Sequence, residues 1–246
     1  MIYMFGGGFV GGQRDGYWQE EYFRYMAANG VDVYSIDYRL GVKKVGEHGG
    51  GMSEIDFGVA FLKTLDMAVE DLFDVTAFIL EKADGWNIDQ HLILACGSSA
   101  GAVSVLHGEY AIANGSPRTS ILPDGFNYAA VIAFAGAVFA TDEGLSFQKE
   151  PCPVMLFHGD ADSNVPYGEV KEFGAGFYGS QYISGKYYEN GWPYWFWDVS
   201  DAAHEIATRP MSENRQEILS FIEKFVLKNQ PLQIHSREST IGKPVM

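Results

Sequence analysis

The feature that most constrains this chain is an alternation. Short runs rich in β-branched and aromatic residues, at Ile2 to Phe5, Val31 to Asp37, His91 to Cys96, Ala129 to Phe134, Val154 to Phe157 and Tyr194 to Val199, are separated by longer stretches with helical spacing. A run apolar at every position must bury both faces, and a long intervening segment lets each strand return parallel to the last. The pattern therefore predicts an α/β fold, a mostly parallel sheet of about six strands flanked by helices. Leu65 to Lys82 places Val69, Leu72, Thr76 and Ile79 on one helical face, and Asn214 to Lys228 does the same with Ile218, Phe221, Ile222 and Phe225. With 246 residues, 47% of them apolar, and no repeat or linker, the chain is expected to form one domain over residues 1–246. Gly41 to Met52, glycine-rich and charged, is expected to be a surface loop, and residues 230–246, without periodicity, a C-terminal tail.

Charge removes several function classes. A formal net charge of -15, with no basic stripe, disfavours nucleic acid and anionic membrane surfaces as partners. No apolar run approaches the roughly 18 to 20 residues of a membrane span, and Met1 to Phe5 leads into glycines without a basic region or cleavage site. A soluble chain is expected, with its compartment open. Cys96 and Cys152 lie in apolar, strand-like runs and are read as free core thiols. The six histidines, at 48, 91, 107, 158, 204 and 235, show none of the short spacings of zinc sites, so no metal is expected.

The sharpest motif is Gly97-Ser98-Ser99-Ala100-Gly101. It follows the run His91 to Cys96 and precedes a helix-compatible stretch, Ala100 to Tyr110, which is the strand-turn-helix context of a nucleophile elbow. So tight a turn needs small residues two before and two after the nucleophile. Ser99 would then sit in a strained conformation, its hydroxyl exposed beside the positive end of a helix. Taken alone, the pentapeptide could also be a plain Gly-Ser turn joining strand to helix.

Three further segments fall in a telling order: Phe5-Gly6-Gly7-Gly8-Phe9 at the end of the first run, His158-Gly159-Asp160-Ala161-Asp162-Ser163-Asn164-Val165-Pro166 after Val154 to Phe157, and Asp201-Ala202-Ala203-His204-Glu205 after the last run. With the elbow, they resemble the α/β-hydrolase superfamily over nearly the whole chain, and in particular serine esterases similar to the hormone-sensitive lipase group. The resemblance implies Ser99 as nucleophile, Asp162 as acid and His204 as base, in the chain order Ser, Asp, His that this fold uses. Asp160, two residues earlier, is the competing carboxylate. The resemblance also implies an oxyanion hole from the N–H groups of Gly7, Gly8 and Ala100. Phe5 stands where those esterases carry a histidine whose hydrogen bonds usually steady the glycine loop. Asp37-Tyr38-Arg39-Leu40 is similar to a family motif after the next strand and is read as structural, and His158 as a hydrogen-bonded packing residue. No cofactor is implied.

Two rivals come from other classes. Gly6-x-Gly8-x-x-Gly11 followed by Asp37 at the end of the next run resembles a dinucleotide-binding unit, but that reading needs a helix opening at the glycines, whereas Gly11 to Gly16 reads as loop and the apolar pattern resumes only near Trp18. A hydrolase fold kept only for binding usually loses a triad residue, and all three are present. Within the hydrolases the expectation is a carboxylesterase, on a small-molecule or carbohydrate-linked ester such as a feruloyl or acetyl ester, with a peptidase of the prolyl-oligopeptidase type as the alternative. The aromatic stretch Phe177 to Trp197 supplies a candidate acyl or sugar-stacking wall, about half of it expected in the core. Against the family's strand order the first two strands are missing, which would leave Val31 to Asp37 at a sheet edge, to be covered by Gly41 to Met52 or paired with a second subunit in a homodimer.

Overall fold

The structure is a computed structural model that describes residues 1–42, 54–172 and 174–240. Each of the six expected runs overlaps a strand, β1 (Ile2–Met4), β2 (Tyr34–Ile36), β3 (Leu94–Ser98), β4 (Ala130–Phe134), β6 (Val154–Gly159) and β9 (Tyr194–Ser200), with β3, β6 and β9 running one or two residues past the expected ends. Four more were not expected. β5 (Ala137–Thr141), β7 (Glu169–Glu172) and β8 (Ala175–Gly179) form a small antiparallel sheet in the order β5-β8-β7, and β10 (Gln233–Ser239) joins the main sheet. That sheet runs β10-β9-β6-β4-β3-β1-β2, and every pairing in it is parallel.

Burial follows the pattern that fully covered parallel strands impose. Every residue of β3, β4 and β6 is buried. The cover on one side includes α2 (Glu54–Trp86), whose Val69, Leu72, Thr76 and Ile79 are buried as the spacing required. The helix that opens at the elbow, α3 (Ala100–Ala113), is apolar nearly all round because it lies between α2 and the sheet. α1 (Tyr17–Ala28) begins beyond the glycines, with loop between, which removes the dinucleotide-binding geometry. At the C-terminal end, α5 (Arg215–Phe221) passes into a π-helical turn, Ile222–Leu227, and Ile218, Phe221, Ile222 and Phe225 all reach the core.

The region from Gln230, expected to be a tail, is corrected by β10. Its sequence, Gln-Ile-His-Ser-Arg-Glu-Ser, carries too little apolar character to read as a strand, and its residues alternate between exposed and half-buried. Pairing supplies what hydrophobicity does not. β10 runs in register with β9 from Gln233 opposite Tyr194 to Ser239 opposite Ser200, and the indole N–H groups of Trp195 and Trp197 donate to Ser236 Oγ (2.9 Å) and Glu238 Oε2 (3.0 Å). Charged and polar side chains along a strand are also what an exposed sheet edge tolerates. The opposite edge is β2, within Val31 to Asp37 as expected. The expected surface loop, Gly41 to Met52, lies outside the described residues except for Gly41 and Val42. Both cysteines are free and buried. Half of the aromatic stretch is core, as expected: Tyr178, Tyr187, Tyr194, Trp195 and Phe196 are buried, whereas Phe177, Tyr182, Trp192 and Trp197 are half-buried and Tyr188 is exposed.

One buried group makes stability depend on pH. Glu109 on α3 accepts the Cys152 N–H through Oε1 at 2.8 Å, while Oε2 has no partner among the described residues. Burial pushes this carboxyl up from 4.5 to about 7, with the Cys152 hydrogen bond pulling the other way. The folded state therefore holds a proton that the unfolded chain releases, and Glu109 loses stability for the protein as pH rises from 4.5 to 7, by about 3 kcal/mol in all. His107 acts in the opposite sense: burial pushes it down from 6.5 to about 3, so its contribution grows as pH rises through that window. Glu109→Gln removes only the first effect, and its melting temperature relative to wild type should climb between pH 4.5 and 7. Calorimetry of both proteins across that range checks it, and parallel curves would show that Glu109 is ionised when folded.

Candidate active site

In an open parallel sheet the crevice forms where chain order reverses. From β1 the chain moves outward to β2, then crosses back to lay β3 on the other side of β1. The carboxyl ends of β1 and β3 are therefore the expected site of binding, and they carry Gly6 to Gly8 and Ser99. The turn after β3 is as tight as the motif implied. Ser99 has φ +50°, which a side chain other than glycine adopts only under strain, on the order of 1 to 3 kcal/mol. A Cβ on Gly97 would lie 2.3 Å from the Gly101 carbonyl oxygen, and one on Gly101 would lie 2.1 Å from that of Met4, so only glycine fits either place. The Ser99 N–H donates to the Phe134 carbonyl at 2.8 Å, locking the strained turn to β4.

The three expected side chains meet. Ser99 Oγ is 2.8 Å from His204 Nε2, and His204 Nδ1 is 2.7 Å from Asp162 Oδ2. Asp162 comes from the turn after β6 and His204 from a 3₁₀ turn, His204–Ala207, after β9, neighbouring strands whose ends bring the two loops together. The carboxylate is held firmly: Oδ1 accepts the N–H groups of Asn164 (2.8 Å) and Val165 (3.1 Å). Burial alone would raise its pKa. Hydrogen bonds from His158 and His204 and those two backbone N–H groups outweigh the burial, and they hold Asp162 well below the usual carboxylate range. Asp160, the competitor, faces elsewhere: its Oδ1 accepts the Asp201 N–H at 2.7 Å and its Oδ2 is 3.7 Å from Arg237.

Sequence reasoning missed Ser98. Its hydroxyl donates to the Ala207 carbonyl at 2.7 Å and so ties the elbow to the turn that carries His204.

The glycine loop is steadied without a histidine. Phe5 packs against Tyr38 with ring centroids 4.6 Å apart and the rings tilted by 33°, and the Tyr38 hydroxyl donates to the Phe5 carbonyl at 2.7 Å. Arg39 anchors this segment to α2 through Asp71 (2.8 Å) and Glu70 (2.9 Å). The Gly7 carbonyl closes the turn by accepting the N–H groups of Val10 and Gly11 at 3.1 and 3.2 Å. The N–H groups of Gly7, Gly8 and Ala100 donate to no acceptor among the described residues. Ala100 is the first residue of α3, where the helix leaves its N–H groups free. Tyr38→Phe keeps the ring and removes one hydrogen bond of about 1 kcal/mol, so kcat should fall about five- to tenfold with little change in KM. Steady-state kinetics of the variant decide it, since an unchanged kcat would mean the loop holds its own shape.

No protein-family model matches the chain, and no curated protein matches it. Solved structures do. A thermophilic esterase of the Planctomycetes species Thermogutta terrifontis aligns at a TM-score of 0.61 and 18% identity over 94% of this chain and 81% of that one. The chain has the α/β-hydrolase fold. A truncated carbohydrate esterase from gut microbiota aligns at 0.61 and 14% identity over 92% of this chain and 85% of that one. A carboxylesterase of Lactobacillus plantarum gives 0.59 and 16% identity over 93% and 85%. At such identities the likeness is one of fold. Among the described residues no helix is long and apolar enough to cross a membrane.

Proposed function

We propose that this protein is a serine carboxylesterase. The observation that carries the reading is the continuous hydrogen-bonded line from Ser99 through His204 to Asp162, at 2.8 and 2.7 Å, beside a glycine loop whose Gly7 and Gly8 N–H groups meet no acceptor among the described residues. A serine hydroxyl is a weak nucleophile near neutral pH, so His204 accepts its proton as Oγ attacks the ester carbonyl carbon. Asp162, ionised throughout, keeps the proton of His204 on Nδ1 and offsets the charge of the imidazolium that forms. Negative charge builds on the carbonyl oxygen, where the N–H groups of Gly7, Gly8 and Ala100 meet it, each worth on the order of 3 kcal/mol in comparable sites. His204 then passes the proton to the leaving alcohol. Water attacks the acyl group by the same route and frees Ser99.

The substrate we favour is a small acyl ester of a carbohydrate, acetyl or feruloyl. The gut carbohydrate esterase among the structures of the same fold supports this class. A panel of p-nitrophenyl esters of increasing acyl length, a feruloyl ester and acetylated oligosaccharides, set against aminoacyl-p-nitroanilides, tests both levels. Turnover of esters with none of anilides is the expected result. Anilide cleavage would turn the reading to the peptidase, and a preference for simple alkyl esters would remove the carbohydrate.

A further inference from the structure

Asp162 has a second imidazole beside it. His158, at the end of β6 and four residues before the acid, is fully buried, and its Nε2 lies 3.4 Å from Asp162 Oδ2, the oxygen that His204 Nδ1 contacts. On its other side the ring is fixed by Ser180, the first residue of α4 (Ser180–Asn190), whose hydroxyl is 2.8 Å from Nδ1. Nε2 is also 3.2 Å from the Val165 carbonyl, and the Tyr167 ring stands perpendicular to the imidazole at 5.8 Å. One arrangement satisfies the cluster: the Ser180 hydroxyl donates to Nδ1, and the Nε2–H donates to the Val165 carbonyl with Asp162 Oδ2 beside it at 3.4 Å. The Gly136 carbonyl, 3.4 Å from the same hydroxyl, is the longer alternative for Ser180.

A residue that only filled space here would need no N–H. His158 directs its Nε2–H to the carbonyl of Val165 at 3.2 Å and sets that nitrogen 3.4 Å from one oxygen of the acid, while the Val165 N–H holds the other oxygen at 3.1 Å. Both oxygens of the carboxylate are thereby tied to one short loop. We infer that His158 is a positioning residue for the triad acid, fixing Asp162 so that Oδ2 faces His204, and that its whole contribution to turnover passes through Asp162. This inference rests on the esterase reading for its readout.

The test is a double-mutant cycle in kcat for ester hydrolysis. His158→Phe keeps a buried ring and removes the N–H, and it should lower kcat about 10- to 100-fold with KM within about twofold. His158→Gln, which can still donate, should recover part of that loss. In the Asp162→Asn background, where the acid is already disabled, His158→Phe should cost no more than about twofold. Ser180→Ala frees the ring from its far side. It should show the same dependence on Asp162 at smaller size, and it carries the test if His158→Phe does not fold. Losses that multiply in the double variants would overturn the inference and make His158 a packing residue. The two levels separate through Ser99→Ala: if that variant keeps its activity, the esterase reading and this inference fall together. If it is dead and the losses multiply, only the inference falls.

Discussion

Ser99→Ala should give a folded protein that has lost ester hydrolysis, with kcat down on the order of 10⁴- to 10⁶-fold. The size follows from the role: without Oγ no acyl-enzyme forms, and His204 has no proton to accept. The fold should be unaffected, because the replacement keeps the Cβ, and the Ser99 N–H that bonds to Phe134 belongs to the backbone. Hydrolysis of p-nitrophenyl acetate by purified protein, with circular dichroism to confirm folding, measures the effect. Near-normal turnover in a folded variant would remove Ser99 from the chemistry and the esterase proposal with it.

The two aspartates should separate almost as widely. Asp162→Asn places an amide opposite His204 Nδ1, which no longer holds the ring in the working tautomer, and kcat should fall on the order of 10⁴-fold, as for the same change in other Ser-His-Asp triads. Asp160→Asn should stay within a few fold, since its amide oxygen can still accept the Asp201 N–H that Oδ1 takes now. The reverse ranking would move the acid to Asp160. The depressed pKa of Asp162 has a second consequence. Its carboxylate contributes stability that is present above the ordinary value of 3.8 and lost as pH falls below it, and the Asn variant should lack that part of the acid sensitivity.

Much of this was legible in one dimension because the physics involved is local. A run such as Ala130–Phe134, apolar at every position, has few other destinations than a strand covered on both faces. Gly97 and Gly101 signal a turn with no room for Cβ, and Ser99, Asp162 and His204 follow three of the predicted strands, now β3, β6 and β9. What tertiary structure alone decided are pairings between segments far apart in the chain. β10 is too polar to announce itself and exists because β9 offers an edge and two indole N–H groups. The small sheet of β5, β7 and β8 arises from antiparallel pairing that no strong alternation specifies. The missing histidine of the glycine loop looked like a loss in the sequence, yet Tyr38, 33 residues beyond Phe5, supplies the hydrogen bond. The resemblance places the acid at Asp162, although either carboxylate could by chemistry orient an imidazole. The direction of a turn aims one at His204 and the other at Asp201, and it brings the buried His158 beside the acid. Composition and spacing determine which segments are buried and where the chain must bend, because solvation and steric exclusion act on each residue separately. Which polar groups meet is settled only when the strands are laid side by side, because a hydrogen bond depends on distance and direction in space.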